Sequence, residues 1–235
     1  MSTVADHLPQ YSHDFDGASN LQLLNADLPT FGDIQAFYVR FKRDGTGVEE
    51  FIFSKGVGAA NGFFLEITAG NLLHFQTVVN VAVPPLSSPF TDIFISTTTV
   101  NDTNWHDVFV LTDTDDATAS NHIIMYIDGT LETASTYTTS RGPHIVNTGR
   151  FRWGSNSAET LYFSGLMYNL GTASGKRVYT DSRESDGTAR DIKSTSSLQM
   201  HLNIDAGEVE TDWLLVNWIN SGVTASTTLG DASTP

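Results

Sequence analysis

The sequence predicts an all-β protein, a sandwich of two antiparallel sheets. Three observations lead there. Apolar residues recur at every second position in run after run, the period at which side chains share one face of a strand. Turn-forming residues interrupt these runs at a spacing of roughly 8–12 residues, as in a sandwich or barrel. No long stretch follows the 3.6-residue period of an amphipathic helix, and no internal repeat emerges.

In chain order, residues 1–10 read as a polar N-terminal arm. Residues 11–15 and 20–24 are short strand candidates on either side of the Asp16-Gly17 turn. Residues 35–42 form a clear strand. Phe37, Val39 and Phe41 share a core face, while Tyr38, Arg40 and Lys42 share a wet one. After Asp44-Gly45-Thr46-Gly47, residues 50–54 place Phe51 and Phe53 together. Residues 62–68 put Phe63, Leu65 and Ile67 on one face, and 72–77 return after the Ala69-Gly70-Asn71 turn. Residues 78–89 contain Pro84, Pro85 and Pro89, which cannot donate to a ladder, so they form an edge strand or a covering loop. Residues 92–96 make one more strand.

The stretch 104–134 organises the rest. Residues 105–112 alternate Val108 and Val110 with Asp107, Phe109 and Leu111. Residues 122–128 alternate Ile123, Met125 and Ile127 with His122, Ile124 and Tyr126. Both second faces also carry apolar residues, so these strands are expected to be covered on both sides. Asp128-Gly129 is a strong hairpin signal, because both residues take positive φ at small cost. Residues 135–148 then read as a polar connection. Phe151 and Trp153 alternate with Arg150 and Arg152, and 161–170 is a strand in which Gly165 marks a bulge or a close backbone approach. Residues 171–197 are a long polar excursion, 198–202 a short strand, and 213–219 the last apolar run. Trp105 and Trp153 both alternate into the expected core. The division is an arm (1–10), one sandwich (11–205) and a C-terminal extension (206–235).

Composition sets bounds on function. The 235 residues suffice for one large core. Acidic residues outnumber basic ones 27 to 12, a net charge of −15 that repels phosphate backbones and argues against nucleic-acid binding. Cysteine is absent, so neither disulfides nor thiolate metal sites form. Residues 1–7 are polar, without the apolar core of a secretory signal, and no apolar run is long enough to insert into a membrane.

Several motifs resemble laminin-G-like modules of the concanavalin A-like jelly-roll superfamily. They are Phe15-Asp16-Gly17 before Leu21, Phe53-Ser54-Lys55-Gly56, Gly62 to Ile67, Gly70 to Phe75, Trp105-His106, and Tyr126-Ile127-Asp128-Gly129. The resemblance covers residues 14–170 and implies a concanavalin A-like jelly roll. It leaves function open, because members include carbohydrate binders, calcium-dependent adhesion modules, glycoside hydrolases and parts of viruses.

The site must therefore decide. Glycoside hydrolysis needs two carboxyls about 5–9.5 Å apart. The Glu-x-Asp-x-x-Glu pattern of related glucanases is missing, and Glu208, Glu210 and Asp212 lie outside the matched region. Calcium needs several oxygens from a turn. Asp113, Asp115 and Asp116, helped by Asn121, are the candidates. The histidines show no paired metal-ligand spacing, and most are expected to be surface or sheet residues. Gly171 to Lys176 is one spacer short of a phosphate loop, with Arg177 where Ser or Thr is required.

The expectation is a non-enzymatic virion structural protein: a capsid decoration, head-fibre or tail component, assembled in a host cytoplasm and displayed on the virion surface. Its expected partners are other virion proteins, further copies of itself as a homo-oligomer, and cell-surface polysaccharide. The alternatives are a carbohydrate-binding adhesin acting outside cells and a glycoside hydrolase of the same fold.

Overall fold

The period-two runs become fifteen strands in the computed structural model, which describes residues 13–23, 34–56, 61–79, 90–113, 116, 118–138, 149–174, 198–202 and 215–216. These strands are β1 (His13–Asp16), β2 (Leu21–Leu23), β3 (Ile34–Arg43), β4 (Glu50–Gly56) and β5 (Asn61–Ile67). They continue as β6 (Leu72–Val79), β7 (Phe90–Thr99), β8 (Trp105–Asp113), β9 (Ile123–Ile127) and β10 (Thr130–Leu131). The last are β11 (Ala134–Thr138), β12 (Phe151–Trp153), β13 (Ser164–Ser174), β14 (Leu198–Leu202) and β15 (Leu215–Val216). Among the described residues a 3-10 turn, Ala119–Asn121, precedes β9.

Two antiparallel sheets result. The first runs β10-β9-β8-β3-β13-β14-β15, with β1 also paired to β13. The second runs β11-β7-β6-β5-β4-β12-β2. This is a jelly-roll sandwich, as the alternation requires. Its core lies between the sheets and holds Phe37, Val39, Phe41, Phe63, Leu65, Val108, Val110, Ile123, Met125, Ile127 and Trp153. Phe37 is the aromatic hub, 5.4 Å from Phe53, 4.9 Å from Phe63 and 5.5 Å from Phe75 between ring centroids. Each such ring removed from water contributes about 1.5–3 kcal/mol.

The doubly apolar strands are covered on both sides. Ala36, Tyr38, Phe109 and Leu111 form a second buried cluster on the outer face of the first sheet. Asp128 and Gly129 take φ of 49° and 85°, so the hairpin between β9 and β10 has the expected positive-φ turn. Gly165, at φ 134°, is a close approach: a Cβ there would lie 2.1 Å from the Lys42 carbonyl oxygen. The register shift in β13 falls further along, between Tyr168 and Gly171.

Several expectations need correction. Phe51 and Phe53 do not share a face: a register shift falls between them in β4, so Ile52 and Phe53 enter the core while Phe51 packs on Phe64. Trp105 is in neither buried cluster. It is half-buried on the outer face, because it shares the phase of Asp107 and Phe109 while Val108 and Val110 point inward. The polar connection expected over residues 135–148 opens with most of β11, which pairs with β7; its Thr and Tyr residues suit an edge strand without apolar alternation. β13 begins three residues later than expected, because Gly154 to Phe163 close on each other first, through Phe163 N to Gly154 O and Asn156 N to Leu161 O. It also runs on to Ser174, into the segment read as a polar excursion. Residues 80–89, 175–197 and the two chain ends lie outside the described residues. β15 belongs to the segment read as a C-terminal extension and pairs with β14.

Candidate functional site

Strands β3 and β8 lie side by side in full register: Lys42 opposite Trp105, Arg40 opposite Asp107, Tyr38 opposite Phe109 and Ala36 opposite Leu111. Since Phe37, Val39 and Phe41 point inward, the intervening residues of β3 must point outward, as must 105, 107, 109 and 111 of β8. β9 adds Ile124 and Tyr126 beside Leu111 and Phe109. The outer face is therefore apolar at one end and becomes polar toward the start of β8.

At the polar end the side chains are ordered by one another. Tyr38 Oη donates to Asp107 Oδ1 over 2.6 Å. The Arg40 guanidinium lies over the Trp105 ring, 5.6 Å from its centroid, a cation–π geometry. Among the described residues the Arg40 and Lys42 side chains form no hydrogen bond or ion pair, so their side-chain donors remain free. The strand beneath is pinned from the core side. His106 Nδ1 lies 2.8 Å from Asp128 Oδ2 and its Nε2 3.1 Å from Asp102 Oδ1. Asp107 N donates to Asp128 Oδ1 over 2.8 Å. The hydrogen bond to Asp128, opposed by burial and aided by both carboxylate charges, raises the His106 pKa. The Asn104 N–H bond holds the Asp102 carboxyl below its usual range. The loop Asn101 to Asn104, exposed and rich in amide and hydroxyl groups, rims the Trp105 end.

An indole with a planar cation on it, a second cation and a rim of amides can stack on a ring and bond to hydroxyls, while the buried Asp107 orders Tyr38 beneath them. The alternation puts Tyr38, Arg40 and Lys42 on one face, expected to be wet; Tyr38 is instead buried with Phe109 and Leu111, and only Arg40 and Lys42 are partly exposed. Only the register brings Trp105 and Asp107 beside them.

The other candidate residues sit elsewhere. Asp113 ends β8, roughly 26 Å of strand from Trp105. Asp116 Oδ1 accepts Thr118 N and Asn121 Nδ2, so it already closes the turn. Asp115, Glu208, Glu210 and Asp212 are outside the described residues. Among the described residues no group of three or more His, Asp or Glu is placed to hold a metal ion. The histidines are more engaged than expected. His74, His106 and His122 each face a carboxylate, and His122 is 1% exposed against Asp92 at 3.3 Å.

Comparison with solved structures returns the same architecture. The mouse laminin alpha1 chain, domains LG4-5, is 14% identical at a TM-score of 0.49, covering 69% of this chain and 40% of that one. This chain thus spans less than half of that laminin fragment. The Ruminococcus gnavus IT-sialidase CBM40 is 10% identical at a TM-score of 0.52, covering 73% of this chain and 94% of that one. At such identities the likeness is one of fold. A comparison with curated protein sequences finds no match. A family model described as the concanavalin A-like lectin/glucanases superfamily, of the laminin-G type, matches residues 15–171. That is more than half of the chain, and the chain belongs to this superfamily.

Proposed function

We propose that this chain is a carbohydrate-binding module that holds its glycan against Trp105 on the outer face of the first sheet. The observation behind this is the outward indole with Arg40 stacked on it and the free donors of Arg40 and Lys42 alongside. A sugar ring offers an apolar face and a rim of hydroxyls. The indole meets the first; Arg40, Lys42 and the amides of the Asn101 to Asn104 loop meet the second. Membership of a lectin-containing superfamily supports the class. So does the fold shared with a CBM40 solved bound to alpha2,3 sialyllactose.

The test is a glycan array with the native chain, Trp105→Ala and Arg40→Gln, in calcium and in chelator. Trp105→Ala should lose at least about tenfold in affinity while folding normally. Equal retention by Trp105→Ala overturns the reading. Loss of binding in chelator alone would assign a metal to the turn at Asp113, Asp115 and Asp116. The reading is one of binding without catalysis, so new reducing ends or unsaturated products after incubation with a polysaccharide panel would also count against it.

A place on a virion surface is a second reading, compatible with the first. It is favoured by the cysteine-free, strongly acidic composition, which suits a soluble appendage. Self-association belongs to it. Light scattering of the purified chain and mass spectrometry of purified particles test these two parts.

A further inference from the structure

The outer face of the second sheet carries a different constellation, on the side of the sandwich away from Trp105. Phe151 and Trp153 are core residues, so Arg150 and Arg152 project outward. Arg150 Nη1 donates to Gln22 Oε1 over 2.7 Å, and Gln22 Nε2 donates to Glu159 Oε1 over 3.1 Å. Arg152 Nε donates to the same Glu159 oxygen over 3.2 Å. Two guanidiniums therefore share one carboxylate through one amide, leaving a local charge of one positive unit in a chain of net −15. Among the described residues, both Nη groups of Arg152 and the Nε and Nη2 groups of Arg150 have no partner. The Arg152 side chain is only 11% exposed, which strengthens any charge-assisted bond it makes.

The row continues across the sheet. Arg152 lies opposite Gln22 and Ser54, Ser54 opposite Phe64, and Phe64 opposite Gln76. Phe64 is half-buried, its ring held between Phe51 at 5.3 Å and His74 at 5.2 Å. Two strand spacings, roughly 10 Å, separate the Arg152 and Phe64 backbones.

We infer that this row is a second binding site, for a saccharide chain bearing carboxylate or sulfate groups. Arg150 and Arg152 take the oxyanion in forked hydrogen bonds, and a following ring lies over Phe64 beside Gln76. The saccharide part rests on the function proposed above; the oxyanion part rests on the arginines alone.

The test is calorimetry at about 20 mM salt, where charge pairing is weakly screened, with an oligouronate, a sulfated oligosaccharide and a neutral oligosaccharide. The proteins are the native chain, Arg150→Gln, Arg150→Gln/Arg152→Gln and Trp105→Ala. Native protein should bind at least one acidic ligand. The double variant should lose tenfold or more on it while keeping its neutral-glycan affinity, and the exposed Arg150→Gln should lose part of this without perturbing the fold. The two acidic ligands distinguish carboxylate from sulfate. No acidic binding by native protein, or unchanged acidic binding by the double variant, overturns the inference. Failure of the Trp105 reading registers separately, as unchanged neutral-glycan binding by Trp105→Ala.

Discussion

Arg43 is 0% exposed, a guanidinium enclosed where β3 ends. Its Nε lies 2.6 Å from Glu50 Oε2. Its Nη1 donates to Asn71 Oδ1 over 2.8 Å and to Val100 O over 3.1 Å, and its Nη2 to Val48 O over 3.2 Å. Glu50 in turn accepts Ser164 N over 3.0 Å. One side chain thus joins the β3–β4 turn, the β5–β6 turn, the chain entering β8 and, through Glu50, the start of β13. Arg43→Ala removes all of this and leaves Glu50 with the Ser164 N–H alone. Breaking a buried pair costs about 3–5 kcal/mol. At about 2–4 °C per kcal/mol for a domain of this size, the melting temperature should fall by roughly 6–20 °C. Glu50→Gln should cost a similar amount, because it leaves the enclosed Arg43 guanidinium without its counter-charge. Burial raises the Glu50 pKa against the pull of Ser164 N and Arg43. Arg43→Met/Glu50→Leu should recover much of the loss, since two charges no longer need desolvation. Differential scanning calorimetry and urea unfolding read these values. A loss below about 1 kcal/mol for Arg43→Ala, or single-variant losses that add within about 0.5 kcal/mol in the double, would refute the reasoning.

Three further outcomes follow from other residues. Both ring nitrogens of His106 face carboxylates, which only the imidazolium satisfies, and its pKa is raised. Its contribution is therefore complete below its ordinary 6.5 and is lost as pH rises through the folded value. Asp16, Asp102 and Glu132 have lowered pKa values, so their contributions are lost as pH falls through those values. Melting temperature should peak between the two ranges, and His106→Gln should flatten the alkaline limb; an unchanged limb would remove His106 from the account. Lys55 lies between Phe63 and Phe151 in register, 2% exposed, and burial lowers its pKa to about 8. Lys55→Met should therefore stabilise by about 1–3 kcal/mol at neutral pH, read by urea midpoint, and a loss of stability would contradict this. Gly165→Ala should cost about 2–4 kcal/mol, since its Cβ meets the Lys42 carbonyl and its φ of 134° suits glycine; a melting temperature within one degree of native would show that β13 shifts freely.

What could be read from the chain alone depended on whether one face of a strand outweighed the other. In β3, Phe37, Val39 and Phe41 set the phase unambiguously, and the same phase reaches Arg43. The expected strand stops at Lys42, one residue short of Arg43, so the buried arginine is not among its expected core residues. In β8, Phe109 and Leu111 are as apolar as Val108 and Val110, so periodicity could pair the residues of each face without saying which face is inward. Alternation alone assigns Trp105 to the core, although its face, shared with Asp107 and Phe109, turns outward. β11 failed for the opposite reason: Ala134, Thr136 and Thr138 offer no apolar stripe, and pairing with β7 at the sheet edge supplies what the pattern lacks.

The same limit explains why the proposed glycan face stayed hidden. Its chemistry is split between residues 38–42 of one strand and 105–107 of another, and neither half is distinctive by itself. Lys42 and Arg40 look like ordinary solvated positions, and Asp107 looks like a polar interruption in an apolar run. Pairing β3 with β8 converts the sequence separation into lateral contact: Tyr38 reaches Asp107, and Arg40 reaches Trp105. Arg152 and Glu159 are close in sequence, but Gln22 joins them only across the β2–β12 pairing. In this fold, then, core residues are legible strand by strand, while both proposed surfaces arise from register, which a single sequence encodes only through the sum of its packing.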